Sequence, residues 1–348
     1  MRIALPQQVY PQNERVLQFW EQLLPRVNGL PGVASATMIS GMPPVRPINA
    51  NDTQIEGWVE REGGPGQNID YYQTVGDRFL EAMGARLVEG RMFDERDGTN
   101  APASLVINQT MARMYWPGQS AIGKRVRPGF RDPWRTVVGV IADIKNAGVD
   151  KATGTELFLP VRQSQGFGLR NAFLVIRTHG EPAGIARAAR AEISALDASL
   201  PVSQVRTMED AMALAKARPR FLTGLLSTFS GLALVLAGLG IYGVMSYLVA
   251  QRTNEFGVRM AIGARQSDVL WMVIRQGMWL GMLGVASGAL CAAGLARYLK
   301  GMLYATDALD PATFLSMAAA LTAVVILACF LPALRATRVD PIRALRYE

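Results

Sequence analysis

Charged and apolar positions mix through the first 220 residues of the chain and then separate. Between Arg220 and Arg252, between Arg275 and Arg297, and between Asp310 and Arg335 there is no charged residue for 31, 21 and 24 positions. At about 1.5 Å per residue, about 20 helical residues cross a hydrocarbon core about 30 Å thick, so each stretch is long enough to span. The stretches are apolar around their whole circumference, as in Leu225–Leu236, whereas a helix buried in a soluble core keeps a polar stripe. The pattern predicts an all-α domain of residues 221–348 with three transmembrane helices near 222–250, 276–296 and 312–334, preceded by a water-facing domain of residues 1–220.

In the first domain the periods of helix and strand both occur, which gives an α+β expectation. Val16, Phe19, Trp20, Leu23, Leu24 and Val27 recur at helical spacing between Glu14 and Asn28, and Pro31-Gly32 then breaks the chain before a strand over Val33–Ile39. β-Branched and apolar content predicts further strands at Ser104–Asn108, Thr136–Ile144, Ala172–Thr178 and Val202–Val205. Pro182 suits the first turn of a helix, and Ile185, Ala189, Ile193 and Leu196 continue its apolar face. Thr207 with Asp210 resembles a capping box that starts a helix running toward the first span. Gly, Pro and Asn concentrate between Gly41 and Asn68, which reads as a long mobile loop.

The charge balance orients the chain. Residues 1–220 carry 26 Lys/Arg against 22 Asp/Glu and residues 221–348 carry 10 against 6, interspersed and without a long basic stripe, which excludes a nucleic-acid-binding reading. Arg252, Arg259, Arg265 and Arg275 lie in the first connection, and Arg335, Arg338, Arg343 and Arg346 in the tail. The connection between the second and third spans has Arg297 and Lys300 alone. The positive-inside rule places the first connection and the C-terminus in the cytoplasm and residues 1–220 outside, although Lys216, Arg218 and Arg220 pull the other way. Met1–Pro6 begins no signal peptide, since the apolar run is short and Pro6, Gln7 and Gln8 interrupt it. Export of the first domain therefore calls for a preceding membrane helix, in a longer protein of which this is the C-terminal part, or for a partner subunit or unusual insertion.

Side-chain chemistry removes whole classes of activity. His179 is the sole histidine, so His-based triads and His-ligated zinc sites lack their parts. It reads as a solvated turn residue. Cys291 and Cys329 fall inside spans as small apolar residues. Asp94, Glu95 and Asp97 surround Arg96 without EF-hand spacing and read as a charged turn. Gly118–Arg125 has phosphate-loop spacing, but Arg125 stands where a Ser or Thr would hold Mg²⁺, and no strand precedes it. Gly238-Leu239-Gly240-Ile241-Tyr242-Gly243 matches a dinucleotide fingerprint, yet lies inside a span. Small residues there serve close helix packing instead, and Gly224, Gly231 and Gly238 in the first span, with Gly277, Gly281, Gly284 and Gly288 in the second, form candidate packing faces. No catalytic, cofactor or metal site is expected in this chain, and energy must enter from elsewhere.

The first connection is the expected input. Glu255 and Arg259 stand at i, i+4, with Phe256 and Met260 on a neighbouring face, as in a short helix offering apolar anchors to a partner. Glu255-x-Gly257-x-Arg259-x-Ala261-x-Gly263-Ala264 resembles the cytoplasmic coupling segment of MacB/FtsX-type ABC transporter permeases. Ile241-Tyr242-Gly243-Val244, Gln251-Arg252-Thr253, Asp310-Pro311, Pro332-Ala333 and the ending Asp340–Glu348 are similar to the same family. Leu30–Val33, Gly90-Arg91-x-Phe93, Trp116–Gly118, Ile122–Lys124 and Val138–Val140 resemble the MacB-like periplasmic core domain.

What this resemblance implies is an inner-membrane efflux permease with residues 1–220 in the periplasm. ATP would be bound by a separate cytoplasmic ABC ATPase contacting Glu255, Phe256, Gly257, Arg259, Met260, Ala261 and Gly263. The first span would transmit ATPase motion to the periplasmic domain. Other implied partners are a second permease half with the missing upstream helix, a periplasmic adaptor and membrane lipid. Within the family the chain is similar to the second half of the duplicated permeases of acidobacteria. An FtsX-type regulator of a periplasmic hydrolase, a lipoprotein-release permease, a non-autonomous fragment, and an anchored binding module without an ATPase remain alternatives.

Overall fold

The computed structural model describes residues 1–59, 66–149, 151–298 and 310–337. Lys300, Arg338, Arg343, Arg346, the Asp340–Glu348 ending and the side chain of Arg297 lie outside the described residues. Contacts divide the chain into two units, Met1–Ala217 and Arg218–Glu348.

The first unit is built on one mixed sheet. In chain order it contains β1 (Arg2–Ala4), α1 (Asn13–Asn28), β2 (Val33–Ile39), β3 (Asn51–Asp52), β4 (Gln54–Ile55), β5 (Asn68–Ile69) and β6 (Tyr71–Val75). There follow α2 (Phe79–Met83), β7 (Leu87–Gly90), β8 (Ser104–Asn108), α3 (Gln109–Tyr115), β9 (Arg125–Arg127), β10 (Arg135–Ile141), β11 (Glu156–Pro160), β12 (Asn171–Thr178), α4 (Pro182–Leu196) and β13 (Val202–Ser203). The strand order is β13-β1-β12-β2-β6-β11-β8-β10-β9-β4, with β7 also paired to β10. The β6/β11 and β8/β10 pairs are parallel, while β1/β12, β2/β12 and β9/β10 are antiparallel.

The helices cover the sheet through their apolar stripes. In α1, Val16, Phe19, Trp20, Leu23 and Val27 are buried, and they share a core with Ala189 and Ile193 of α4, Met38 of β2 and Leu174 of β12. Enclosing a side chain the size of Trp20 removes roughly 150 Å² or more from water, about 4 kcal/mol as an upper figure. Its indole N–H stays satisfied, donating to the Leu169 carbonyl at 2.9 Å. A second core joins Met111 and Tyr115 of α3 to Leu105 and Ile107 of β8, and a third sets Phe79 of α2 against Phe158 of β11.

The expected helix over 14–28 and the strands at 33–39 and 104–108 are present, and α4 starts at Pro182. The strand expected over 136–144 stops at Ile141. The 41–68 segment differs from the expected mobile loop over its described part. There β3 pairs with β5, β4 joins β9, Val45 bridges Ala147, and Arg46 is buried among Glu156, Gln73 and the Tyr72 carbonyl. Burying the arginine fastens this Gly- and Pro-rich stretch to the sheet.

Helix α5 (Met208–Gln251) starts before the boundary at Arg218 and continues into the second unit, which also contains α6 (Thr253–Ala261), α7 (Gln266–Tyr298) and α8 (Pro311–Ala336). Three of them, α5, α7 and α8, are long and apolar enough to cross a membrane. Helices α5 and α7 begin at polar caps before their charge-free stretches, whereas α8 begins with its stretch and runs two residues past it. Thr207 and Asp210 exchange hydrogen bonds at the start of α5, the Asp210 amide donating to Thr207 Oγ1 at 3.1 Å and the Thr207 amide to Asp210 Oδ2 at 3.2 Å. Asp310 accepts from the Ala312 and Thr313 amides, with Pro311 in the first turn of α8. The dinucleotide-like glycines 238, 240 and 243 lie in the interior of α5 and not at a strand-to-helix turn.

Candidate functional site: the segment between α5 and α7

Helix α6 is short, and its ends are fixed by local geometry. At its C-terminus the Gly263 amide donates to the Met260 carbonyl at 3.1 Å and the Ala264 amide to the Arg259 carbonyl at 3.0 Å. This is a Schellman arrangement, and it requires a left-handed residue, supplied by Gly263 at φ +103°. Arg265 then turns the chain into α7, its amide donating to Asp268 Oδ2 at 3.2 Å.

The two faces of α6 have different work. Phe256 is 3% exposed and packs with Met245 and Val249 of α5, Val269 and Val273 of α7, and Cys329 and Ala333 of α8. Gly257 is buried and Met260 half-buried on the same side. Sequence reading offered Phe256 and Met260 as anchors for a partner. The structure turns Phe256 inward, because enclosing its ring in the helical cluster removes more apolar area than any exposed position would. The outward face carries Glu255 and Arg259, ion-paired at 2.6 Å and each about half exposed, with Val258, Ala261 and Ile262. Ile262 is 82% exposed. The pair sits on water, so it contributes about 0.3–0.5 kcal/mol and mainly fixes the pattern of charge shown. Arg259 also donates to Met272 Sδ at 3.2 Å, tying this face to α7. Sequence reasoning missed Ile262, and the signal available was an isoleucine at the last helical turn beside a capping glycine.

The predicted packing glycines separate into two groups. A Cβ at Gly277 would run into Cys329 Sγ, and one at Gly281 would lie 2.7 Å from Val325, so both stand at the α7/α8 contact. Gly238 lies near Val324 of α8, a Cβ there having ordinary contact at 3.5 Å. Gly224, Gly231, Gly284 and Gly288 have no described neighbour within 4 Å of such a Cβ. Arg335, at the end of α8, lies 5.8 Å over the Tyr242 ring of α5.

Motifs in the first unit are built into its sheet. Gly90 of β7 faces Gly139 of β10, and a Cβ on either would strike the opposing backbone. Arg91 makes two hydrogen bonds to Asp97, at 2.6 and 3.0 Å. Burial raises the Asp97 pKa, but hydrogen bonds from Arg91, Ser104 and the Asp94 amide together hold it below the ordinary carboxylate value. Asp94 caps the 3₁₀ turn Glu95–Asp97 and pairs with Arg96. Among the described residues no group of three or more His, Cys, Asp and Glu is arranged to hold a metal. The phosphate-loop-like Gly118–Arg125 links α3 to β9, entering a strand where such a loop enters a helix.

Residues 6–196 match the family described as MacB-like periplasmic core domain, and residues 227–341 match FtsX-like permease C-terminal. A pyoverdine export ATP-binding/permease protein, PvdT, of Pseudomonas aeruginosa is 29% identical over 90% of this chain and 47% of its own length. Macrolide export ATP-binding/permease protein MacB 1 of Aeromonas hydrophila is 30% identical over 79% of this chain and 43% of its own. The chain thus spans about half the length of the curated relatives it matches. Among solved structures, the periplasmic region of MacB from Actinobacillus actinomycetemcomitans is similar over 61% of this chain and 90% of that one, at 12% identity and a TM-score of 0.39.

Proposed function

The chain belongs to the MacB/FtsX-type family of ABC transporter permeases, and from that premise we propose that it is the membrane subunit of an export system driven by a separate cytoplasmic ATPase. In this reading α6 is the docking element. The ATPase meets Glu255, Arg259, Val258 and Ile262, while Phe256 passes any displacement of α6 into α5, α7 and α8. Helix α5, 44 residues and so about 66 Å long, carries the motion to residues 1–207 on the periplasmic side of the inner membrane. The chain performs no chemistry of its own, and ATP is bound and hydrolysed by the partner. A second permease half and a periplasmic adaptor complete the assembly.

The observation that carries this reading is the division of α6 into a face packed on the spans and an outward face with an exposed ion pair beside an 82% exposed isoleucine. The test is retention of ATP-binding proteins by the tagged full chain in detergent extracts of its native membranes. Glu255→Lys with Ile262→Asp leaves the Phe256 packing intact and should lower retention at least about tenfold, as loss of an interface centre does. Equal retention by wild type and variant, or none by either with both correctly inserted, would remove the docking assignment.

A further inference from the structure

Two arginines among the described residues of the first unit are deeply buried, and they are accommodated differently. Arg46, 7% exposed, has the Glu156 carboxylate at 2.9 Å. Arg135, the first residue of β10, is 3% exposed and has no carboxylate within 4.0 Å among the described residues. Its Nη2 donates to the Gln163 carbonyl at 2.7 Å, and its Nη1 reaches Gln163 Oε1 at 3.3 Å and the Ser104 carbonyl at 3.4 Å, all neutral acceptors. Its Nε–H is buried without an acceptor. Burial lowers the Arg135 pKa from the ordinary guanidinium value, and Asp132 opposes this only through space. A guanidinium taken out of water without an anion is costly.

Space for the anion lies beside it. Arg135 forms part of the wall of a cleft of about 450 Å³, which Asn13, Leu17, Gln165 and Leu169 also line. That volume falls within the roughly 300–1,000 Å³ of small-molecule sites. Arg162 lines the cleft too, but its charge is met by Asp77 at 2.8 Å and Glu21 at 3.3 Å. Arg135 is therefore the unneutralised cation of this wall among the described residues. It is held in place, since Gln163 is itself fixed by donating to the Gly98 carbonyl at 3.0 Å and accepting from the Ser104 amide at 3.0 Å. The exposed Glu14 on the same cleft disfavours a ligand with more than one negative charge.

We propose that this cleft binds a small organic monocarboxylate with an apolar body, the carboxylate set against Arg135 and the body against Leu17 and Leu169. The site rests on the geometry of the first unit and does not depend on the docking of an ATPase. The test is calorimetric titration of the full chain in lipid nanodiscs with benzoate, and with benzamide as its uncharged counterpart. Benzoate should bind saturably, benzamide at least about tenfold more weakly, and Arg135→Gln should reduce benzoate to the benzamide level. Because removing a buried arginine also threatens the fold, Ala103→Glu serves as a second variant, placing a carboxylate of the chain's own on the cleft wall. It should abolish benzoate binding and raise the unliganded melting temperature. No saturable benzoate binding, equal binding of benzoate and benzamide, or undiminished benzoate binding by Ala103→Glu overturns the proposal.

Discussion

Glu156 is enclosed at the start of β11, between Arg46 at 2.9 Å and the Asn146 amide at 2.9 Å. Burial pushes its carboxyl up to about 7, against the downward pull of Arg46 and Asn146 and with a small upward contribution from Asp143. A carboxyl whose folded pKa lies above its unfolded 4.5 holds its proton more tightly in the native state. Its contribution to stability is therefore full below about 4.5 and is lost as pH rises toward about 7, by up to about 3 kcal/mol. Amide exchange on β6 and β11 should accelerate across that window in the wild type, and Glu156→Gln should flatten the dependence. Arg46→Ala should cost about 3–5 kcal/mol, since it leaves Glu156, Gln73 and the Tyr72 carbonyl without their buried donor. Replacing both residues by Met and Leu should cost far less, and comparison of the three unfolding midpoints checks this. The 41–59 segment should lose its protection first in the single variant, because Arg46 also holds Asn49 and the Tyr72 carbonyl to the same place.

Among elements, the seam between α7 and α8 is set by two glycines that let the helices approach. Without a hydrophobic driving force in lipid, close packing has to hold them together. Gly277→Val and Gly281→Val should lower thermal stability in detergent by about 1–3 kcal/mol through overpacking at Cys329 and Val325. Gly284→Val and Gly288→Val should leave the melting temperature nearly unchanged. Glycine spacing alone does not distinguish these pairs, because all four recur near one face and only the course of α8 decides which are covered. Similar reasoning accounts for the strands that were not legible. β6 buries Gln73 and Thr74, and β11 buries Glu156 and ends on Pro160, so neither presents the apolar alternation by which a strand is recognised. Their polar atoms are satisfied by residues far away in sequence, Arg46 and Phe167 among them, which a local pattern does not contain. Charge-free runs and caps were legible because both are local. The inward turn of Phe256 and the cleft at Arg135 were not, since each depends on elements that meet only after folding.

For the whole molecule, the proposed route from α6 to the periplasmic side requires α5 to act as one stiff rod. Its first turns carry Glu209, Asp210 and Lys216, and the rod passes through Pro219, which lacks the N–H of one rung. Ala213→Pro adds a second break at an exposed position of α5 and should weaken the helix by about 3 kcal/mol locally. In reconstituted vesicles containing the partner ATPase, this variant should hydrolyse ATP at the wild-type rate and export at a small fraction of it. Equal loss of both activities would place the coupling elsewhere.

The unequal lengths of the charge-free stretches bear on how each helix can move. The 21 residues between Arg275 and Arg297 make about 31 Å of helix, matching a hydrocarbon core about 30 Å thick, whereas the 31 residues between Arg220 and Arg252 make about 46 Å. Any axial slip of α7 drags a charge toward the bilayer centre, at about 2.5–3.5 kcal/mol for full insertion. The rod α5 has about 16 Å of slack, close to three helical turns, before Arg220 or Arg252 meets that penalty. On the proposed route the bilayer thus holds α7 against axial slip and sets no such limit on α5, so that the membrane itself acts as the fixed rail against which a moving part can slide.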